Sequence, residues 1–412
     1  MNLTKMAWRN LWRRKRRTII TAFSIGFGVM LSVTFTGTGD YGYTKMINTS
    51  AAMGLGHVTV EPKGYNDTPS LDKTLKGSGS VREKILKIPG VDGAVVRIMG
   101  QAMFASANKT IGGMFIGLDP SRETKEHNLF LRSIIEGDLF PEPDGRGVVV
   151  GVKVAEKLKL KIGKKLVYTT TDVNGEIVSE MAIVTGIFKS GVDEVDGSMV
   201  LLPINRVRST LSYMPEQATL VAVIINDQRR AEKMCEKIRA ILDNDSLEVL
   251  SWHKTQAELS GIITLDKSGN YIIQVLIGLL IAAGILNTLL MSVIERTREF
   301  GVMIAVGMSP STLFRLVIIE SIWLAALGII LGIVITTPWY VYMHQTGIDF
   351  SGAIGEDYSA SNVLVDPIMK IRLFKESAVA ILMGVFTLTI LSGIYPAWKA
   401  GRIPPVESLK EI

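Results

Sequence analysis

The sequence predicts an α-helical membrane protein with four transmembrane helices and a large α+β extracytoplasmic domain inserted between helices 1 and 2. Three observations lead there. The 412 residues carry only 20% charged side chains at a mean hydropathy of +0.30, with a net charge of +6. The apolar residues are gathered into stretches free of Asp, Glu, Lys and Arg, Thr18–Gly39, Ser268–Ile294, Ser321–Ile348 (with one His) and Ser377–Trp398, each long enough for the ~20-residue helix a bilayer requires. The long interval between the first two stretches mixes β-like runs with helical patterns. These features exclude an ordinary soluble enzyme, a disordered chain and a small disulfide scaffold. A large helical carrier is excluded too, because four spans leave most of the chain outside lipid.

Residues 1–17 hold seven Lys/Arg and no acid. Leu3, Met6, Ala7, Trp8, Leu11 and Trp12 recur at helical spacing among them, so an amphipathic basic helix lying in the headgroup region is expected. Residues 18–39 form span one. A signal peptide competes for this segment, but the apolar stretch is long and no A-x-A site follows it. Positive flanks stay cytoplasmic. Arg296 and Arg298 follow span two, and Lys399, Arg402 and Lys410 follow span four. Both termini are therefore expected inside. The basic run beside a span reads as a membrane flank, and no nucleic-acid partner is expected.

Residues 40–267 are expected to form the inserted domain. Strand-like runs include HVTVEP, GAVVRIM, QAMFASA, TIGGMFIGL, GVVVGV, KLVYTTTD, EMAIVTGIF, SMVLLP, ATLVAVII and LEVLSW. Ser80 and Glu83 stand at capping-box spacing before a helix, and residues 62–80 read as a mobile loop. A second helix runs through AEKMCEKIRAIL, where Cys235, the single cysteine, is expected to be half-buried. His57, His127, His253 and His344 are too scattered for a zinc motif. Asp193, Glu194 and Asp196 read as a solvated acidic turn. The expected catalytic and metal sites are accordingly none, and the chain is not expected to be an enzyme.

Span two (268–294) leads into a charged link (295–312) in which Glu295, Arg296, Arg298 and Glu299 mark the exit from lipid. The helix is expected to continue from span two to Val306 and stop at Gly307. Ser309 fits an N-cap and Pro310 an N1 residue, launching span three (313–341). An extracytoplasmic loop (342–376), span four (377–398) and a cytoplasmic tail (399–412) follow. Glu320 is costly inside lipid unless it pairs, with Arg296 or Arg315 as candidates. Gly26, Gly28, Gly278 and Gly284 are candidate close-approach positions. Asn287 is a candidate interhelical donor, or bonds its own backbone. No G-x-x-x-x-G-K-[ST] motif occurs, so ATP is not expected to bind this chain in the usual way.

The segment ERTREFGVMIAVGMSPSTLFRLVIIES and the tail YPAWKAGRIPPVESLK resemble the FtsX/MacB-type (type VII) ABC transporter permeases. The opening AWRNLWRRKRRTIITAFSIGFGVML and the runs IPGV, GVVVGVKVAEKLKLKIGKKL, VTGIF and DGSMVLLPINRVRSTL do so as well. In layout the chain looks closest to the lipoprotein-releasing LolC/LolE permeases. The resemblance implies a MacB-like periplasmic core of two lobes in a bacterial inner-membrane protein. It also implies a dimer with a second permease chain, identical or related, and a separate P-loop ATPase dimer that binds ATP and Mg. Glu295, Arg296, Arg298, Glu299, Gly301, Gly307 and Ser309 would form the ATPase-coupling element, with Pro396, Arg402 and Pro405 as tail contacts. The implied function is extraction of lipoproteins, or another amphiphilic substrate, toward a periplasmic carrier. The alternatives are efflux of peptides or drugs with a periplasmic adaptor, and regulation of a cell-wall hydrolase.

Overall fold

The computed structural model describes residues 3–354, 359–360, 363–364 and 368–402. The chain divides into two compact units. One comprises Met1–Gly42, Thr264–Asp349 and Ile368–Ile412, and the other Tyr43–Ile263 with Phe350–Pro367.

The first unit is helical. Among the described residues, four helices lying wholly or mostly in it are long and apolar enough to cross a membrane: Lys15–Ser50 with its continuation to Leu55, Ala257–Ile294, Pro310–Gln345 and Lys375–Ala400. The first hydrogen-bonded helix runs on past Gly39, and the second begins before Ser268. Apolarity marks the lipid-soluble part of a helix, whereas its ends are set by backbone hydrogen bonding. Ile25, Val29 and Val33 of span one pack with Ile277, Ile281, Ile285 and Leu289 of span two and with Leu324 and Val385. The four-residue spacing within spans one and two is the stripe that faces the bundle.

Lipid tails supply no hydrophobic drive, so close approach and hydrogen bonds hold the spans. A Cβ on Gly26 would lie 3.0 Å from the Gly332 nitrogen, and one on Gly332 would lie 3.2 Å from the Gly26 Cα. Gly28 likewise faces the Ile281 side chain, whereas Gly278 makes ordinary contact and Gly284 faces open space. The Gln274 amide donates to Thr36 Oγ1 at 3.0 Å, Trp339 Nε1 to Thr34 Oγ1 at 2.9 Å, and Thr21 to Thr288 at 3.1 Å. Asn287 is exposed on the outside of the bundle and has no hydrogen-bond partner among the described residues. After span three, Ile348–Asp349 pairs with Ile368–Met369. Arg372 N then donates to Gly37 O at 2.9 Å and Ser377 Oγ to Asp40 at 2.9 Å.

The second unit is built on a ten-stranded sheet: β1 (Val58–Pro62), β2 (Val91–Ala105), β3 (Thr110–Leu118), β4 (Ile134–Gly137), β5 (Gly147–Gly151), β6 (Lys165–Thr171), β7 (Ile177–Phe188), β8 (Met199–Pro203), β9 (Leu220–Ile225) and β10 (Leu247–Ser251). Their order is β10-β1-β9-β2-β3-β8-β5-β7-β4, with β6 joined to β2 and β7. Most pairs are antiparallel, but β3 with β8 and β5 with β7 are parallel. The first part of β2 pairs with β9, the later part with β3 and β6. This one strand therefore belongs to both halves of the domain.

Several local expectations change. Ser80 lies inside the helix Ser78–Leu86, whose N-cap is Gly77 at φ 64°, so the capping box does not form. Within residues 62–80, Leu75 is fully buried, exchanges two backbone hydrogen bonds with Ala218, and anchors the segment expected to be mobile. Cys235 is wholly buried on the helix Ala231–Leu242, and burial pushes its thiol up to about 12. The acidic turn is a short helix, Asp193–Asp196. In it Asp196 is buried and accepts from Ser190 N and Oγ, each at 2.7 Å.

Candidate functional site

At one end of the helical unit the chain folds into a charged bracket. Span two ends at Ile294, and the backbone turns at Glu295 and Arg296 instead of continuing as one helix. A separate helix runs Thr297–Ala305. Gly307 then adopts φ 100°, a left-handed conformation that ends a helix without a Cβ penalty. The Ser309 hydroxyl accepts from Thr312 N at 3.3 Å, and Pro310 occupies the first turn of span three. At this turn the Arg296 side chain is buried.

That guanidinium makes the bracket's central bond. Arg296 Nη1 donates to Glu320 Oε1 at 2.9 Å and Oε2 at 3.2 Å, with both side chains under a tenth exposed. Asn10 Nδ2 donates to the same carboxylate at 2.7 Å. Arg296 also reaches Glu299 at 3.4 Å and lies over the Phe300 ring at 4.8 Å. Removing one partner of a buried pair costs about 3–5 kcal/mol, because the other charge is left uncompensated.

The outer pairs are weaker. Arg17 grips Glu295 with two bonds at 2.9 and 3.0 Å, Arg14 joins them, and Arg13 meets Glu299 at 3.2 Å. Exposed pairs contribute only about 0–1 kcal/mol each. The buried Arg296–Glu320 bond therefore fixes the bracket, and the arginines of the N-terminal segment trim it.

Beneath the charges lies a small apolar core. Ala7 of the helix Leu3–Arg13 packs with Val293, Phe300, Leu313, Leu316, Val317, Ala397 and Ala400. Gly301 is buried beside Phe300. The opposite face of the bracket helix is open: Arg298, Val302, Ala305 and Val306 are exposed, at positions i, i+4, i+7 and i+8. Val306 is 84% exposed. Arg298 has no ion-pair or hydrogen-bond partner among the described residues.

Of the residues expected to couple to an ATPase, Glu295, Arg296 and Glu299 are thus engaged within the chain. Gly301, Gly307 and Ser309 shape the bracket, and Arg298 alone offers a free charge outward. Pro396 is buried in span four, and Arg402 covers Trp398 at 4.2 Å. Pro405 lies outside the described residues. Sequence reasoning missed Asn10 and the three N-terminal arginines as bracket partners. The only trace was an uncharged amide within a basic run.

The insert domain holds a second concave feature, a cavity of about 810 Å³ lined by Glu61, Tyr65, Leu71, Met99, Asp172 and Leu220 among others. Arg97 and Glu123 form a fully buried bidentate pair in the same unit, at 2.9 Å for each bond, and Arg97 also donates to Gly54 O at 2.6 Å. Among the described residues no group of three or more His, Cys, Asp or Glu could hold a metal ion.

Comparison with known proteins gives the family. Residues 18–241, more than half the chain, match the MacB-like periplasmic core domain, and residues 271–405 match the FtsX-like permease C-terminal domain. An uncharacterized ABC transporter permease of Methanocaldococcus jannaschii is 23% identical over 99% of this chain and 98% of that protein. The lipoprotein-releasing system transmembrane protein LolC of Neisseria meningitidis is 22% identical over 78% of each. The macrolide export ATP-binding/permease protein MacB 2 of Aeromonas hydrophila is 26% identical over 98% of this chain, which spans 60% of that protein's length. The chain belongs to the MacB-like periplasmic core family, joined here to an FtsX-like permease domain, and is a permease subunit of the MacB/LolC type of ABC transporter.

Proposed function

We propose that a separate ATP-hydrolysing subunit docks on the open face of the bracket helix, and that the bracket passes its movement to the four spans. The observation carrying this reading is the two-sided character of Thr297–Ala305. One face is buried on Phe300 and Gly301, while the other presents Arg298 beside exposed Val302 and Val306. Exposed apolar residues beside an arginine suit a protein interface. Spans two and three, joined directly by the bracket, cannot ignore a push on it. The bracket and both termini then lie in the cytoplasm, the insert domain lies outside an inner membrane, and two permease chains meet one ATPase dimer. The ATP and Mg belong to that ATPase.

The substrate we propose is a lipid-anchored protein, drawn from the membrane and passed to a soluble carrier. The similarity to the lipoprotein-releasing protein LolC, over 78% of each chain, supports this reading. Export of an amphiphilic small molecule through an adaptor is the second reading, supported by alignment with MacB 2 over nearly the whole chain. Gentle detergent purification of the tagged chain followed by mass spectrometry separates these readings. A P-loop ATPase retained with a lipoprotein or carrier supports the first, and the same ATPase with an adaptor supports the second. A cell-wall hydrolase in their place moves the chain to a regulatory role. No ATPase after crosslinking overturns the docking proposal.

A further inference from the structure

A cavity of about 190 Å³ opens between the N-terminal helix and the bracket ends of spans two and three, all within the helical unit. A single water needs only about 10–15 Å³, so the space admits a larger guest. Arg296 lines it. Two of its nitrogens are used on Glu320 and Glu299, but Nη2 has no partner among the described residues although the side chain is only 8% exposed. A buried charged donor left unmatched is costly. Arg13, Arg14 and Arg17 also line the cavity. The carboxylates around them, Glu295, Glu299 and Glu320, are already held by these same arginines, so four guanidinium groups face three carboxylates and positive charge is left over.

The depth of the cavity narrows the choice of guest. Trp8 stacks edge-on against Trp12 at 5.8 Å and against Trp323 at 4.9 Å. Tryptophan beside a basic helix marks the water–lipid interface, where headgroup phosphates lie. A guanidinium fork with a free nitrogen matches phosphate oxygens.

We propose that this cavity binds a phosphate group, a small turn of the guanidinium bringing the unpaired, fully buried Arg296 Nη2 onto a phosphate oxygen, with Arg13 and Arg14 at its mouth. At this depth the expected source is an anionic phospholipid headgroup, and free inorganic phosphate offers the same chemistry. The site does not depend on ATPase docking.

The test uses the full chain, purified and delipidated in detergent, in native mass spectrometry titrations. The probes are dioleoyl phosphatidylglycerol, dioleoyl phosphatidylcholine and inorganic phosphate. One phosphatidylglycerol per chain is expected, bound at least tenfold tighter than phosphatidylcholine. Arg296→Lys keeps the charge facing Glu320 but removes Nη2, and should weaken binding about tenfold, the scale of one charge-assisted hydrogen bond. Ser292→Phe fills the cavity from its lining without touching an ion pair, and should do the same. Displacement of the lipid by millimolar phosphate would support the site with the free ion as its occupant. Equal retention of the two lipids with no effect of phosphate, or unchanged phosphatidylglycerol binding in Ser292→Phe, overturns the proposal. Should Arg296→Lys fail to fold, the lipid preference of the wild type and the Ser292 variant still decide.

Discussion

Glu61 sits directly across from Glu248 in the β1–β10 ladder, and like charges placed opposite each other destabilise a strand pair. Burial, with Glu248 and Asp67 nearby, pushes its carboxyl up to about 7, against one hydrogen bond from Asn66 N. His57 goes the other way. Burial lowers it to about 4, and its neutral ring accepts from Ile225 N at Nδ1 while Nε2 faces Asn48 Oδ1 at 3.0 Å. The two groups therefore oppose each other in acid. A carboxyl raised in the folded state contributes stability below its unfolded value, and that contribution is lost as pH rises from about 4.5 toward 7. A histidine lowered in the folded state contributes above its unfolded value of 6.5, and that contribution is lost as pH falls toward 4. Glu61→Gln should remove the first effect alone. At pH 8 the variant is expected to be more stable than wild type by about 2–3 kcal/mol, with the advantage gone at pH 4, as read by thermal midpoints across pH. A midpoint difference that does not vary with pH would refute this assignment. None of these pairings is legible along the chain: Glu61 and Glu248 become neighbours through the sheet, and Arg97 and Glu123 only when the segment after β3 folds back over β2.

At the scale of elements, composition located the spans and most strands, because lipid solubility and alternation are written locally. It misjudged what glycine does. The separate runs GAVVRIM and QAMFASA are one strand, because β2 runs straight through the Gly100 between them, and a Cβ there would lie 2.8 Å from the Phe115 ring. β4 escaped notice because IIEG is short and mostly exposed. In the spans, Gly328 and Gly332, four residues apart, pack against Ile25, Gly26 and Val29, a seam the sequence reading did not pick out. Gly284, which it did pick out, faces open space. Gly332→Leu should therefore overpack the span one–span three contact and cost about 1–3 kcal/mol. Gly284→Leu, made as a control, should leave the chain's own packing intact. Thermal midpoints and monodispersity of the two purified variants check this, and equal behaviour would show that the seam does not carry the packing.

At the scale of the molecule, the bracket's division of labour yields a prediction about coupling. Reversing Glu295 would also release Arg14 and Arg17, so it cannot report on docking alone. Arg298→Glu alters only the outward face. It is expected to leave the fold and thermal midpoint unchanged while reducing ATPase-driven substrate movement tenfold or more, measured in proteoliposomes with the partner ATPase. Unaltered transport would remove Arg298 from the docking face. The sequence by itself determined the class of molecule, the four spans, the inserted α+β domain and the position of the charged link, because each depends on local apolarity, alternation or helix-ending residues. Only the tertiary structure decided which charges of that link are spent inside the chain. It also decided that Asn10 joins Arg296 and Glu320, and that Arg298 stays free. Electrostatic pairing depends on distance in space, and residues some three hundred positions apart carry no mark of it in the order of the chain.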